Sequence, residues 1–140
     1  ALHGLTTLGA DVVLVGPATL VSPAFTRIAQ GPGRVQVEHD FDAVLPRLDA
    51  VMMLRVQLER AAGSAIASDF RQLYGLSPRR LAMLPDHAVV MHPGPLNRGV
   101  EIDSTLADDP RRSVILEQVA MGVAVRMAVL EWAVGAPVAA

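Results

Sequence analysis

The chain predicts an α/β fold: a doubly wound, largely parallel sheet flanked by helices. Two observations carry that prediction. Short valine-rich apolar runs recur at Val12–Val15, Ala50–Leu54 and Ala88–Met91, continuous as buried parallel strands are. Helix-start signals stand between them with short connections: Ser22-Pro23, Asp40 or Asp42 around Phe41, and Ser77-Pro78.

Taken in order, Leu2, Leu5 and Leu8 share one helical face, and Gly9 is placed to end that helix. No capping residue precedes Ala1, so the sequence reads as starting inside a helix, as a fragment does. Asp11 to Val15 follows as a buried strand. Pro23 begins a helix to about Gln30, and Gly31-Pro32-Gly33 breaks it. Arg34 to Glu38 alternates as a half-exposed strand. A short helix from Phe41 to Leu48 turns Phe41, Val44, Leu45 and Leu48 inward, and Ala50 to Leu54 is the next buried strand. Between Glu59 and Leu84 the pattern loosens. A loop over residues 61–64 precedes a helical piece from Ser68 to Tyr74, and Ser77-Pro78 opens another to Leu84. Ala88 to Met91 is the last strand, and Met52, Met53 and Met83 read as core.

The closing helix, from about Pro110 to Val134, is apolar on several faces. Val114, Ile115, Val119, Val123, Met127 and Leu130 form one stripe, and Val125, Val129 and Trp132 fall outside it. A helix of this kind requires burial on more than one side. At about 1.5 Å per residue it exceeds roughly 35 Å, longer than a domain of this size needs. It reads as docking against something outside this chain, and Glu117 and Arg126 argue against a membrane span.

The 140 residues, 51% hydrophobic and 19% charged, are enough for one domain with a real core. The net charge of −2 leaves no electrostatic footprint for nucleic acid or an anionic membrane. Every basic residue is arginine, which removes a Schiff-base or phosphate-cradling lysine. With no cysteine there is neither a thiolate nucleophile nor a disulfide. Cytoplasm is the expected compartment, since no signal peptide or membrane-length apolar run is found. His3, His39, His87 and His92 show no zinc-ligand spacing.

Chemistry concentrates at two strand ends. After Met91 comes His92-Pro93-Gly94-Pro95-Leu96-Asn97-Arg98-Gly99. Pro93 and Pro95 have no N–H, so this turn offers carbonyl oxygens without matching donors. Gly94 lets a ligand approach the backbone, and Gly94–Pro95 is a bond open to the cis form. The plain alternative is that Pro and Gly merely punctuate a turn. At the other strand end, Arg55 supplies a planar fork matched to a carboxylate, and Gln57 adds an amide donor on the same side of an extended chain. The alternative there is a structural ion pair of Arg55 with Glu59 or Glu38. Together the two ends suit a small substrate carrying carboxylates and an amino group, bound at the carboxyl edge of the sheet.

Arg55-Val56-Gln57-Leu58-Glu59-Arg60 and His92-Pro93-Gly94-Pro95-Leu96-Asn97-Arg98-Gly99-Val100-Glu101-Ile102, in this order, resemble the aspartate carbamoyltransferase family. The resemblance covers the whole chain as that family's C-terminal, aspartate-binding, Rossmann-like domain. The implied reaction moves a carbamoyl group from carbamoyl phosphate to the amine of L-aspartate, without metal or organic cofactor, early in pyrimidine biosynthesis. Arg55 would bind an aspartate carboxylate with Gln57 assisting. Gly94 and Pro95 would meet carbamoyl phosphate through the backbone, the carbonyls of Pro93 and Gly94 would orient amino groups, and Gly94–Pro95 would be cis. The resemblance further implies that residues 1–140 are an N-terminally truncated domain lacking its first strand, which would be the central neighbour of Val12–Val15. The carbamoyl phosphate domain and the neighbouring subunits of a homotrimer would complete the site, with other pyrimidine-pathway or regulatory subunits as further partners. On that reading the chain alone is inactive.

Ornithine carbamoyltransferase is the nearest competitor, but its turn carries His-Cys-Leu-Pro where this chain has His92-Pro93-Gly94-Pro95. A non-catalytic assembly module, docking through residues 114–134, is the reading from another class. A nicotinamide-binding domain lacks its Gly-x-Gly-x-x-Gly. Arg71, Arg79 and Arg80 read as a solvated face or a loop closing over substrate, and Arg98 and Glu101 as ties between the turn and that loop.

Overall fold

Valine-rich segments pair as parallel strands and the capped segments between them coil, in a computed structural model that describes residues 1–56 and 66–135, with side chains for all of these except 66–68. Helix α1 (Leu2–Thr7) leads to β1 (Val12–Val15), a 3-10 helix (Pro23–Ile28) and β2 (Val35–Glu38). Helix α2 (Phe41–Val44), a 3-10 turn (Leu45–Arg47) and β3 (Ala50–Met52) follow. Then come α3 (Ile66–Tyr74), α4 (Pro78–Leu81), β4 (Val89–Met91), α5 (Ser104–Ala107) and α6 (Ile115–Ala133). The expected loop at 61–64 lies outside the described residues.

The architecture is α/β, parallel strands flanked by helices. Among the described residues the strands form two pairs rather than one sheet. β1 lies parallel to β2, with Val12 opposite Val35, and β3 parallel to β4, with Val51 opposite Val90. On the other side of β4, Val90 N–H donates to Arg112 O (2.7 Å) and Val90 O accepts from Val114 N–H (3.0 Å). That edge therefore carries the chain into α6.

The helix-start signals act as the sequence predicts. Ser22, Asp40 and Ser77 each accept a backbone N–H of the first turn, from Ala24, Ala43 and Arg80. Lengths differ. The segment after Pro23 is a 3-10 helix ending at Ile28, and Pro46, which cannot donate, turns the end of α2 into a 3-10 turn.

Phe41, Val44, Leu45, Val51, Met53, Leu76, Leu84, Val90, Ile102, Leu106 and Ile115 form the core. Several expected core residues lie outside it. β1 is half-buried throughout, since β2 is its one strand neighbour among the described residues. β3 alternates, so Val51 and Met53 point inward while Met52 and Leu54 are exposed. On α1 it is Thr6 that is buried, its hydroxyl donating to Leu2 O and accepting from Gln30 N–H, while Leu5 and Leu8 are exposed. Of α6 only Ile115 is buried; Leu116, Met121, Leu130 and Trp132 face outward. No helix among the described residues is long and apolar enough to cross a membrane.

Candidate functional site

Parallel pairing of β3 and β4, with Met52 opposite Met91, delivers both strands to the same edge. Met53 N–H donates to Met91 O at 2.9 Å, and there the ladder ends. The chain leaves β3 as Leu54-Arg55-Val56 and leaves β4 as His92-Pro93-Gly94-Pro95. The two exits are tied once more further out, where the Asn97 amide Nδ2 donates to Val56 O at 2.9 Å. Arg55, immediately before Val56, is exposed. Gln57 lies outside the described residues.

The turn after β4 is built from the inside. Gly94 has φ +66°, and Gly94–Pro95 is a cis peptide, the form the resemblance implied. Gly94 N–H donates to His92 Nδ1 at 2.9 Å, so the ring hydrogen of His92 is on Nε2. His92 N–H in turn donates to Gln118 Oε1 of α6 at 2.9 Å. With Gly94 N–H used and two prolines without donors, the segment 93–95 has no N–H left to offer. No hydrogen bond among the described residues occupies the carbonyls of Pro93 or Gly94. Pro93 and Pro95 are exposed.

Beneath the turn, His92 and Glu101 are both fully buried. Nε2 of His92 is 3.4 Å from Glu101 Oε1 without a hydrogen bond to it, and that oxygen accepts Asn97 N–H at 2.5 Å. Burial removes His92 from contact with any substrate in this chain and makes it a turn residue. Glu101 holds the turn through Asn97; Arg98 instead grips Asp108 with two bonds of 2.6 and 2.9 Å. That fork, led by the hydrogen bond, keeps the Asp108 carboxyl below its ordinary range.

The arginines near α3 and α4 do not form a uniform solvated face. Arg80 is only 7% exposed. Its guanidinium donates to Asp42 Oδ1 (2.6 Å), Gly75 O (2.7 Å) and Leu73 O (2.8 Å), and lies 5.3 Å from the Phe41 ring centre. Arg79 is exposed and pairs with the other oxygen of Asp42. Both arginines hold the Asp42 carboxyl below its usual value, Arg79 most. A pocket of about 360 Å³ lies among Arg71, Gln72, Ser77, Arg79 and Arg80, lined by none of the residues at the two strand exits.

No group of three or more His, Cys, Asp or Glu among the described residues is arranged to hold a metal ion. His39 Nδ1 is 2.8 Å from Gly16 O and His87 Nε2 is 2.8 Å from Asp49, both structural contacts. The residues that reading by motif passes over are Asn97 and Gln118. Each carried a signal: an amide inside a turn whose backbone donors are scarce, and a polar side chain on an apolar helix.

A family model described as "Aspartate/ornithine carbamoyltransferase, Asp/Orn binding domain" matches residues 1–133. The chain belongs to this carbamoyltransferase family. It is 55% identical over 129 residues to the aspartate carbamoyltransferase catalytic subunit of Rhizorhabdus wittichii, covering 91% of this chain and 39% of that protein. It is 56% identical over 128 residues to that of Salinispora tropica, covering 90% and 41%. The chain thus spans about two fifths of the length of these relatives. Among solved carbamoyltransferases, the aspartate transcarbamoylase of Trypanosoma cruzi, in complex with carbamoyl aspartate and phosphate, superposes with a TM-score of 0.67 at 27% identity, covering 86% of this chain and 39% of that one. The ornithine carbamoyltransferase of Gloeobacter violaceus superposes with a TM-score of 0.74 at 22% identity, covering 92% and 44%, a likeness of fold.

Proposed function

We propose that residues 1–140 are the aspartate-binding part of an aspartate carbamoyltransferase, which converts carbamoyl phosphate and L-aspartate to N-carbamoyl-L-aspartate and phosphate. The aspartate amine attacks the carbamoyl carbon. A C–N bond forms, the C–O bond to phosphate breaks, and the amine loses a proton. One observation carries the reading: the parallel register of β3 and β4 brings Arg55 and the His92–Pro95 turn to one sheet edge, where Asn97 bonds to Val56.

In this reading Arg55, with Gln57, takes an aspartate carboxylate through charge-assisted hydrogen bonds. The donor-poor turn presents the Pro93 and Gly94 carbonyls to amino groups, and Gly94 and Pro95 meet carbamoyl phosphate through the backbone. The contribution of these residues is orientation, which raises the effective concentration of amine at the carbonyl. The phosphate-binding and carbonyl-polarising groups belong to a carbamoyl phosphate domain and to neighbouring subunits of a homotrimer, working in the cytoplasm. Docking of such a domain is supported by the outward apolar side chains of α6 and by the single strand partner of β1 among the described residues.

The test is to exchange residues 1–133 into a full-length relative and assay carbamoyl aspartate. We expect activity from the exchanged enzyme with aspartate, little with ornithine, and none from the purified 140-residue chain. In the exchanged enzyme Arg55→Ala should raise KM for aspartate at least 30-fold, the scale of losing one partner of a hydrogen-bonded charge pair, about 2–5 kcal/mol. An inactive exchange, preference for ornithine, or full activity after Arg55→Ala each defeats the proposal.

A further inference from the structure

We infer that Asn97 is a positioning residue for aspartate: its side chain is the strut that fixes the distance between the Arg55 arm and the carbonyls of the Pro93–Pro95 turn. The inference rests on the functional reading above and adds to it a residue outside the substrate-contacting set.

The main chain of Asn97 is committed on both sides. Its N–H donates to the buried Glu101 carboxylate at 2.5 Å, and its carbonyl accepts from Val100 N–H at 3.1 Å. Gly99 N–H donates to Ile102 O at 2.8 Å, closing the same tight loop. Ile102 is in the core, so this loop is anchored to the body of the domain. The Asn97 side chain can then act as a rigid bracket, reaching from the turn to Val56 O at 2.9 Å.

The bracket acts where it is needed. The β3–β4 ladder ends with Met53 N–H on Met91 O, two residues before Arg55. Beyond that point no backbone bond among the described residues joins the two exits, and the Asn97–Val56 bond holds the residue next to Arg55. A donor is essential, because the group it meets is a carbonyl oxygen. An aspartate side chain of the same shape would put oxygen against oxygen. If the arm drifts, the carboxylate and amine of one small substrate no longer meet both their partners together.

The experiment uses Asn97→Asp and Asn97→Ala in the exchanged enzyme, with Leu45→Val as a control that loosens the core without removing either partner of the Asn97–Val56 bond. We expect both Asn97 variants to raise KM for aspartate about tenfold. KM for carbamoyl phosphate should stay within twofold and kcat fall less than threefold, a split that general destabilisation does not produce. Leu45→Val should leave KM for aspartate unchanged. A second measurement is independent of activity: amide order parameters of Arg55 and Val56 in the 140-residue chain, expected near the rigid value of about 0.85 and below about 0.6 in the Asn97 variants. Unchanged order parameters overturn the strut whether or not the exchanged enzyme works, and so does an unchanged aspartate KM in an active enzyme. If the unsubstituted exchange is inactive, the functional reading fails, and the strut is judged on the order parameters alone.

Discussion

Replacing Asp42 by Asn tests how far one carboxylate organises the side of the domain made by α2, α3 and α4. Asp42 receives Arg80 through Oδ1 and Arg79 through Oδ2. The two pairs differ in value because their surroundings differ. Arg79 has a side chain 66% exposed, so its pair contributes about 0–1 kcal/mol. Arg80 is buried, and a hydrogen bond to a charged group in such a setting contributes about 1.5–3 kcal/mol. After Asp42→Asn the guanidinium keeps Gly75 O and Leu73 O but loses its counter-charge. We therefore expect a loss of about 2 kcal/mol at pH 7, roughly 30-fold in the folding constant, and less than 1 kcal/mol for Arg79→Ala. The pH dependence has a definite sign. The Asp42 carboxyl is held below its ordinary value of 3.8 by the hydrogen bonds of Arg79 and then Arg80. Its contribution is complete above the unfolded carboxyl's pKa and is lost as pH falls through the lower folded value. Urea unfolding of wild type and Asp42→Asn, followed by circular dichroism from pH 7 down to pH 2.5, should show a gap that is constant to about pH 5 and closes below it. A gap under 0.5 kcal/mol at pH 7, or one equally large at pH 2.5, would refute this reasoning.

Three further outcomes come from packing. Leu45→Ala, at a fully buried position, should destabilise by about 2–5 kcal/mol in the same urea titration, the usual range for core leucines. Gly33→Ala should cost about 1–3 kcal/mol, because its Cβ would stand 2.3 Å from Ala10 O and 2.8 Å from Thr6 Cα, both backbone atoms. The isolated chain should self-associate in sedimentation velocity through α6, and Leu116→Glu combined with Leu130→Glu should lower the association.

Much of the local structure was legible because it depends on neighbours in the chain. Ser22, Asp40 and Ser77 each cap the helical turn directly after them, and Pro93 to Pro95 is a turn whose scarce donors are visible in the spelling Pro-Gly-Pro. The residues left the bond between Gly94 and Pro95 open to either form, and the resemblance implied the cis form it has. Burial was less legible. Leu5, Leu8, Met52 and most of α6 are apolar and exposed, whereas Thr6, Arg80, His92 and Glu101 are polar and buried.

Residue type and spacing by themselves determined the α/β class and the helix starts at Ser22, Asp40 and Ser77, and marked the two stretches proposed to bear the chemistry, since these depend on backbone freedom and short-range hydrogen bonding. Which polar groups meet was a tertiary decision. Asn97 reaches Val56 across 41 positions and Arg80 reaches Asp42 across 38. Such contacts exist only once β3 has paired with β4 and α4 has packed on α2, because a buried donor must be matched by whichever acceptor the folded chain brings within about 3 Å.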